Sequence, residues 1–187
     1  MERRELLKMI AAITGGVFIG GDLLTGCKSG PSAVATTFSE ADTAFLDEVA
    51  ETILPATNTP GAKAAKVGQF MVVMVNDTYE EKDQAIFHEG LVKLEEASKK
   101  ATGKSFMDAS AEQRTTLLTE LDKDAREYRK NKKEGDPNHY FTMMKQLTLL
   151  GFFTSKEGAT QALRYLPVPG KFDGAYPYKK GDKAWAT

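Results

Sequence analysis

The residues best suited to chemistry lie near the N-terminus. Cys27 closes the run Leu24-Thr25-Gly26-Cys27 and is the only cysteine of the 187 residues. A cysteine preceded by small residues at the end of an apolar stretch resembles the lipoprotein signal, in which the thiol is acylated before the peptide is cut in front of it. Each buried methylene of such a lipid contributes about 0.8 kcal/mol to membrane binding. The pattern therefore predicts lipidation of Cys27.

An arginine pair, Arg3 and Arg4, precedes the apolar stretch 9–24. A charged start followed by such a stretch is typical of a secretory signal, and the paired arginines indicate the twin-arginine type, which exports folded proteins. The alternative, a transmembrane anchor, requires about 20 strongly apolar residues. This stretch is shorter, rich in glycine and interrupted by Asp22. We therefore predict a signal peptide over residues 1–26 and a mature protein lipid-anchored on the periplasmic side of a bacterial membrane.

The mature chain is predicted to contain a tether and one domain. Residues 27–37 include Pro31 and several small polar residues, which is typical of a flexible linker. Residues 38–187 are long enough to bury a core of their own. The formal net charge of −1 lacks the basic excess expected of a protein that binds nucleic acid.

Elsewhere the sequence offers no catalytic, cofactor-binding or metal-binding residue that we can name. His88 and His139 have no metal-type spacing such as HExxH, and a single cysteine cannot complete a haem-attachment or zinc motif. No GxSxG or strand-linked GxGxxG motif occurs. We expect His139 to be a capping or core residue. Four methionines at helical spacing are expected to fill the core: Met71, Met74, Met143 and Met144.

Helical periodicity dominates residues 38–165, so the predicted fold is all-α, with five to six helices and an extended aromatic tail. Polar residues mark three starts, at Ser39 with Asp42, Thr78 with Glu81, and Ser110 with Gln113. Pro55 is expected to end the first helix, and a loop is expected over 56–66 before a second helix from Val67. Gly103 is expected to end the third helix.

The run 139–153 is apolar on nearly every side and is predicted to be a central helix buried on several sides. Its core is expected to centre on Phe141, Met144, Leu147 and Leu150. The charged run 129–138 is predicted to be a solvated loop. Ser155 is expected to cap a shorter helix through about Tyr165. No alternating pattern is long enough to predict a sheet.

The C-terminal tail has an unusual composition. Proline and glycine recur from residue 167 onward, while four aromatic residues stand among lysines: Phe172, Tyr176, Tyr178 and Trp185. Aromatic side chains on an irregular segment suit a partner interface, where they act as anchors. Alternatively, the tail fills a groove of its own domain. The sequence leaves both interpretations open.

Three blocks of the sequence are distinctive. The first contains 51–55 with 59–62, the second runs from Tyr140 through 145–155, and the third contains 158, 161–165, 167 and 169–170. Together with the export signal, they resemble subunit 3, the small subunit, of the gluconate 2-dehydrogenase family. The resemblance extends over most of residues 38–187.

This resemblance implies a partner. Members of the family accompany a large FAD-dependent dehydrogenase that oxidises a sugar or sugar acid, often with a cytochrome c subunit that carries haem and accepts electrons. The large subunit usually lacks an export signal and leaves the cytoplasm bound to the small one. The small subunit has no established catalytic residues, so none are transferred to this sequence.

Two hypotheses of different classes follow. In the first, the chain is a non-catalytic escort and membrane anchor for an FAD-dependent dehydrogenase. In the second, it is a free-standing lipoprotein that binds carbohydrate or another partner through the tail aromatics. A twin-arginine signal favours the first, because a protein without a cofactor can be exported unfolded.

Overall fold

Over residues 37–186, the part of the chain that the structure describes, five α-helices form a helical body, and side-chain caps fix two of their starts. The computed structural model describes residues 37–186. Helix α1, Glu40–Ile53, begins at a capping box in which the Ser39 hydroxyl accepts from the Asp42 amide and the Asp42 carboxylate accepts from the Ser39 amide. The same reciprocal bonding between Ser110 and Gln113 starts α4, Ala111–Asn131. Of the three predicted capping boxes, these two are confirmed.

The other helices are α2, Val67–Thr78; α3, Glu81–Thr102; and α5, Tyr140–Thr154. Helix α3 ends at Gly103, whose φ of 74° lies in the left-handed region that glycine adopts at low cost. A short π-helix, Gly158–Ala162, follows α5. We refer to residues 38–162 as the helical body.

Helix α5 is central, as predicted, since it contacts each of the other four α-helices and the π-helix. Its residues Phe141 and Met144 lie in the same core cluster as side chains from α1 to α4. The largest fully buried side chains are Phe87, Phe106, Phe141, Leu46, Met71, Leu94 and Met144. The all-α prediction is confirmed, and the core occupies the space around α5.

One predicted helix start is wrong. Thr78 does not cap α3, because it is the last residue of α2 and its hydroxyl donates to the Met74 carbonyl one turn earlier. The N-cap of α3 is Glu80, which makes no side-chain capping bond. A threonine already inside a helix can bond backward to the carbonyl at i−4, which competes with the forward capping bond.

Two predicted segment ends are also corrected. The charged run 129–138 is not entirely a loop, since α4 continues to Asn131. Arginine and lysine favour helix and interact well with its C-terminal end. The helical segment after Ser155 ends at Ala162 instead of Tyr165, although the Ser155 hydroxyl does accept from the Gly158 amide at 3.0 Å.

The absence of a sheet is likewise corrected. Strand β1, Arg164–Tyr165, pairs in parallel with β2, Trp185–Ala186. The Arg164 amide donates to Ala184 O and the Leu166 amide to Ala186 O, both at 2.8 Å. Two residues per strand are too few for an alternating pattern, so the pairing is not visible in the sequence.

One side of α5 is exposed, which corrects the expectation that Leu150 lies in the core. Leu150 is 47% exposed, and Leu149 and Phe153 are each 38% exposed. Phe153 follows Leu149 by four residues and Leu150 by three, so it shares a helical face with both. We refer to Leu149, Leu150 and Phe153 as the exposed α5 face.

The loop between α1 and α2 is held by carboxylates of α1. Glu51 accepts from the amides of Ala56 and Lys63, at 2.9 and 2.8 Å. A Cβ added at Gly61 would lie 2.3 Å from that carboxylate, so the loop approaches too closely for a larger residue. Asp47 accepts from the Gly68 amide at 2.7 Å, in the first turn of α2. These contacts give a structural reason for the spacing of the first sequence block.

Within residues 37–186, no helix has both the length and the apolar character needed to cross a membrane.

Candidate functional site

Residues 163–186, the C-terminal segment, leave the helical body and return to it. The β1–β2 pairing brings the end of the segment back beside its beginning. Between the strands, Gly170 and Gly181 have φ values of 73° and 94°, which only glycine adopts readily. Asp182 accepts from the Lys179 amide at 2.9 Å and fixes the last turn. The segment is therefore irregular but closed.

Arg164 holds the closed segment together. Its guanidinium lies 3.8 Å from the ring centroid of Trp185 and 5.4 Å from that of Tyr176. The two rings meet edge to face at 5.5 Å. Arg164 Nη2 also donates to the Lys183 carbonyl at 3.1 Å. Cation–π contacts of this kind contribute about 0.5–2 kcal/mol.

Three of the four predicted interface aromatics line one cavity. The cavity has a volume of about 470 Å³, and its walls include Phe172, Tyr176 and Trp185. Lys171 and Asp173 supply its charged groups. Tyr178 is not among the residues that line this cavity. The structure thus brings three of the four together and leaves Tyr178 on the open surface.

These aromatics are exposed. Phe172 is 96% exposed, Tyr178 76%, Tyr176 49% and Trp185 45%. None of the four belongs to the core cluster or to the side chains packed against it. The tail therefore does not place these rings in the core of the helical body.

The C-terminal segment and the helical body carry opposite charge. Residues 163–187 contain five basic and two acidic side chains, whereas residues 38–162 contain sixteen basic and twenty-one acidic ones. The ion pairs found among residues 37–186 all lie in the helical body. The segment is thus a cationic, aromatic surface attached to an acidic body.

The two histidines have packing roles. His139 caps α5 as expected, with Nδ1 accepting from the Phe141 amide at 3.2 Å, and burial lowers the pKa of its imidazole. His88 is buried and stacks on Phe38 with the ring centroids 4.1 Å apart. Over the described part of the chain, no group of three or more His, Cys, Asp or Glu side chains is placed to hold a metal ion.

Comparison with protein-family models gives a match over residues 40–170 to gluconate 2-dehydrogenase subunit 3. The matched range is well over half of the chain and includes all five α-helices. The chain belongs to the gluconate 2-dehydrogenase subunit 3 family. Comparisons with curated proteins and with solved structures gave no match. A member of this family is an accessory subunit of a dehydrogenase, associated with the other subunits of that enzyme.

The family match divides the candidate surfaces. The exposed α5 face lies inside residues 40–170, whereas Phe172, Tyr176, Tyr178 and Trp185 lie beyond the end of the match. The predicted lipidation site Cys27 and the export residues Arg3 and Arg4 lie outside residues 37–186, which the structure describes. Their roles stay predictions.

Sequence reasoning missed two features of these surfaces. It did not identify the exposed α5 face, although Thr142, Lys145 and Gln146 lie on the same side of the helix and are a polar signal for it. It also missed the role of Arg164, which depends on rings 12 and 21 positions further along the chain. A separate count of charges for the last 25 residues would have detected the cationic segment.

Proposed function

We propose that this protein is a non-catalytic small subunit that escorts an FAD-dependent sugar or sugar-acid dehydrogenase through the twin-arginine pathway and anchors it at the membrane. The observation that carries the proposal is the family match over residues 40–170, because the family consists of dehydrogenase subunits. The Arg3-Arg4 pair ahead of an apolar stretch supports the export route, and Cys27 supports the lipid anchor.

In this proposal the chemistry belongs to the partners. The large subunit binds FAD, and a cytochrome c subunit with haem accepts the electrons. The chain described here supplies binding surfaces instead. The exposed α5 face and the four aromatics Phe172, Tyr176, Tyr178 and Trp185 are the surfaces proposed to contact the dehydrogenase. Aromatic side chains are enriched at protein interfaces and often act as their anchors.

Folded export gives the first experimental test. Arg3→Lys with Arg4→Lys should retain this chain in the cytoplasm and retain the flavoprotein with it, because the flavoprotein depends on the same signal. Lys8→Arg, a basic substitution outside the pair, is the matched control. Cys27→Ala should leave export intact but release the complex from the membrane fraction. The measurements are cell fractionation, flavin absorbance of the affinity-purified complex and acyl labelling.

The outcomes separate the parts of the proposal. A flavoprotein that reaches the periplasm normally in the double Lys variant would contradict escort. Membrane retention of unlabelled Cys27→Ala protein would contradict lipid anchoring. Purification without any flavoprotein, together with sugar binding at the cavity lined by Tyr176 and Trp185, would favour the free-standing carbohydrate-binding protein instead.

A further inference from the structure

The cations of the C-terminal segment are available to a partner. Lys171, Lys179 and Lys180 are exposed and take part in none of the ion pairs found between residues 37 and 186. The two carboxylates of the segment act in turns instead, with Asp173 accepting from the Ala175 amide at 3.1 Å and Asp182 from Lys179. The segment therefore presents several unneutralised ammonium groups on one short stretch of chain.

Apolar side chains project between these lysines. Phe172 follows Lys171, Tyr178 precedes Lys179, and Val168 is 77% exposed on the same segment. On the helical body, by contrast, the most exposed large hydrophobic side chain is Val92 at 56%. Exposed apolar groups gathered beside charges mark an interaction surface more often than a solvated one.

The segment is also shaped before any partner binds. Strand pairing and the Arg164–Trp185–Tyr176 stack hold its two ends together. A preorganised surface loses less conformational entropy on binding than a free tail would. The cavity of about 470 Å³ lies between residues of this closed segment.

We infer that the C-terminal segment docks on an acidic surface of the dehydrogenase subunit. Phe172 and Tyr178 act as apolar anchors, and Lys171, Lys179 and Lys180 pair with carboxylates of that subunit. The inference rests on the proposed function for the identity of the partner. It adds the chemistry of the partner's surface, since a cationic patch is complemented by an anionic one.

Charge reversal at matched positions tests the inference. The segment variant carries Lys171→Glu, Lys179→Glu and Lys180→Glu in the full chain. The control variant carries Lys104→Glu, Lys123→Glu and Lys133→Glu, three exposed lysines of the helical body that form no ion pair there. Both variants change the net charge equally. The probe is the flavoprotein that co-purifies with the unmodified chain, and the readout is its Kd.

We expect the segment variant to bind at least about tenfold more weakly at about 0.05 M salt, with the difference narrowing at about 0.5 M because salt screens exposed charges. The control variant should stay within about twofold of the unmodified chain. Phe172→Ala should also weaken binding. The factor should be the same at both salt concentrations, since the contribution of Phe172 is apolar. Thermal melts of all variants show whether they remain folded.

Three results would overturn the inference. Equal weakening of the segment and control variants would indicate a general charge effect, and unchanged binding of the segment variant would exclude the segment from the interface. Loss of binding to phosphatidylglycerol vesicles but not to the flavoprotein, with phosphatidylcholine vesicles as reference, would assign the segment to an anionic membrane. In these three cases the proposed function still stands. If no flavoprotein binds the unmodified chain, both fall together.

Discussion

The helical body and the C-terminal segment differ in how each uses aromatic side chains and charges. In the body, Phe87 and Phe141 are buried and acidic groups are paired with basic ones across helices. In the segment, Phe172 and Tyr178 are exposed and the lysines have no carboxylate partners among the described residues. The comparison indicates that the body supplies stability while the segment is available for association.

The largest difference that we expect is in the free energy of unfolding, when the same Phe→Ala substitution is made in each region. Phe141→Ala removes a fully buried ring next to the centre of the core, and such changes cost about 3–5 kcal/mol of unfolding free energy. Phe172→Ala removes an almost fully exposed ring, so its cost should lie within about 0.5 kcal/mol. Denaturant unfolding of both variants measures the difference.

Binding should show the reverse order for variants that remain folded. Phe172→Ala is expected to weaken binding of the dehydrogenase by about 2 kcal/mol, as interface aromatics do. The groove-filling interpretation of the tail makes the contrary forecast, in which Phe172→Ala lowers the melting temperature first. A destabilised Phe172→Ala protein with unchanged affinity would show that the segment contributes to stability and not to association, contrary to the division made above.

The accuracy of prediction from sequence also differed along the chain, for a physical reason. The capping boxes at Ser39 and Ser110 were predicted correctly because the bonded groups are three residues apart. The pattern at Thr78 was just as local, yet α2 had already incorporated that residue. A capping pattern therefore predicts a helix start reliably only where the capping residue is not already part of the preceding helix.

Non-local features were beyond this reasoning. The polar residues Thr142 and Gln146 lie on the same side of α5 as Leu150 and indicate its outer side, but how far the other helices cover Leu150 is a relation between helices that periodicity within α5 does not carry. The pairing of Arg164 with Trp185 joins positions about twenty residues apart through two short strands. The aromatics of the tail were identified by composition alone, and only the fold shows that Arg164 organises them.

Acid should weaken the helical body through its carboxylates. Burial acts to raise the pKa of Glu48, but the hydrogen bond from Lys63 and the charge of Arg114 outweigh it, and the pKa lies below its usual value. The hydrogen bond from Lys145 likewise lowers the pKa of Asp122 against the effect of burial. A carboxyl whose pKa is lowered in the folded protein stabilises the fold at pH values above its unfolded-state pKa of about 4. That contribution is lost as the pH falls through the folded-state pKa.

Glu48→Gln measures that contribution. It removes the ion pairs with Arg114 and Lys63 while Arg114 keeps its bonds to the carbonyls of Phe106 and Met107. We expect a loss of about 1–2 kcal/mol at pH 7 that diminishes as the pH falls through the lowered pKa of Glu48, where the carboxyl itself becomes protonated. Glu120→Gln, at an exposed position without an ion pair in the described range, is the control. A pH-independent loss would show that the charge of Glu48 is not what stabilises the body.

The smallest expected effect concerns the closure of the C-terminal segment. Arg164→Gln removes the guanidinium from Trp185 and Tyr176 but keeps the backbone bond to Ala184. The loss should be about 1 kcal/mol and confined to the segment, so helix content and the melting temperature of the body should barely change. Limited proteolysis should instead cut faster around Lys179 and Lys180, because an opened segment is a better protease substrate. Arg164→Lys retains the charge without the planar stack, so its rate of cleavage should lie between those of the unmodified chain and Arg164→Gln. If Arg164→Gln lowers the melting temperature as much as a core substitution does, the segment is part of the body's cooperative unit and the two regions cannot be separated in this way.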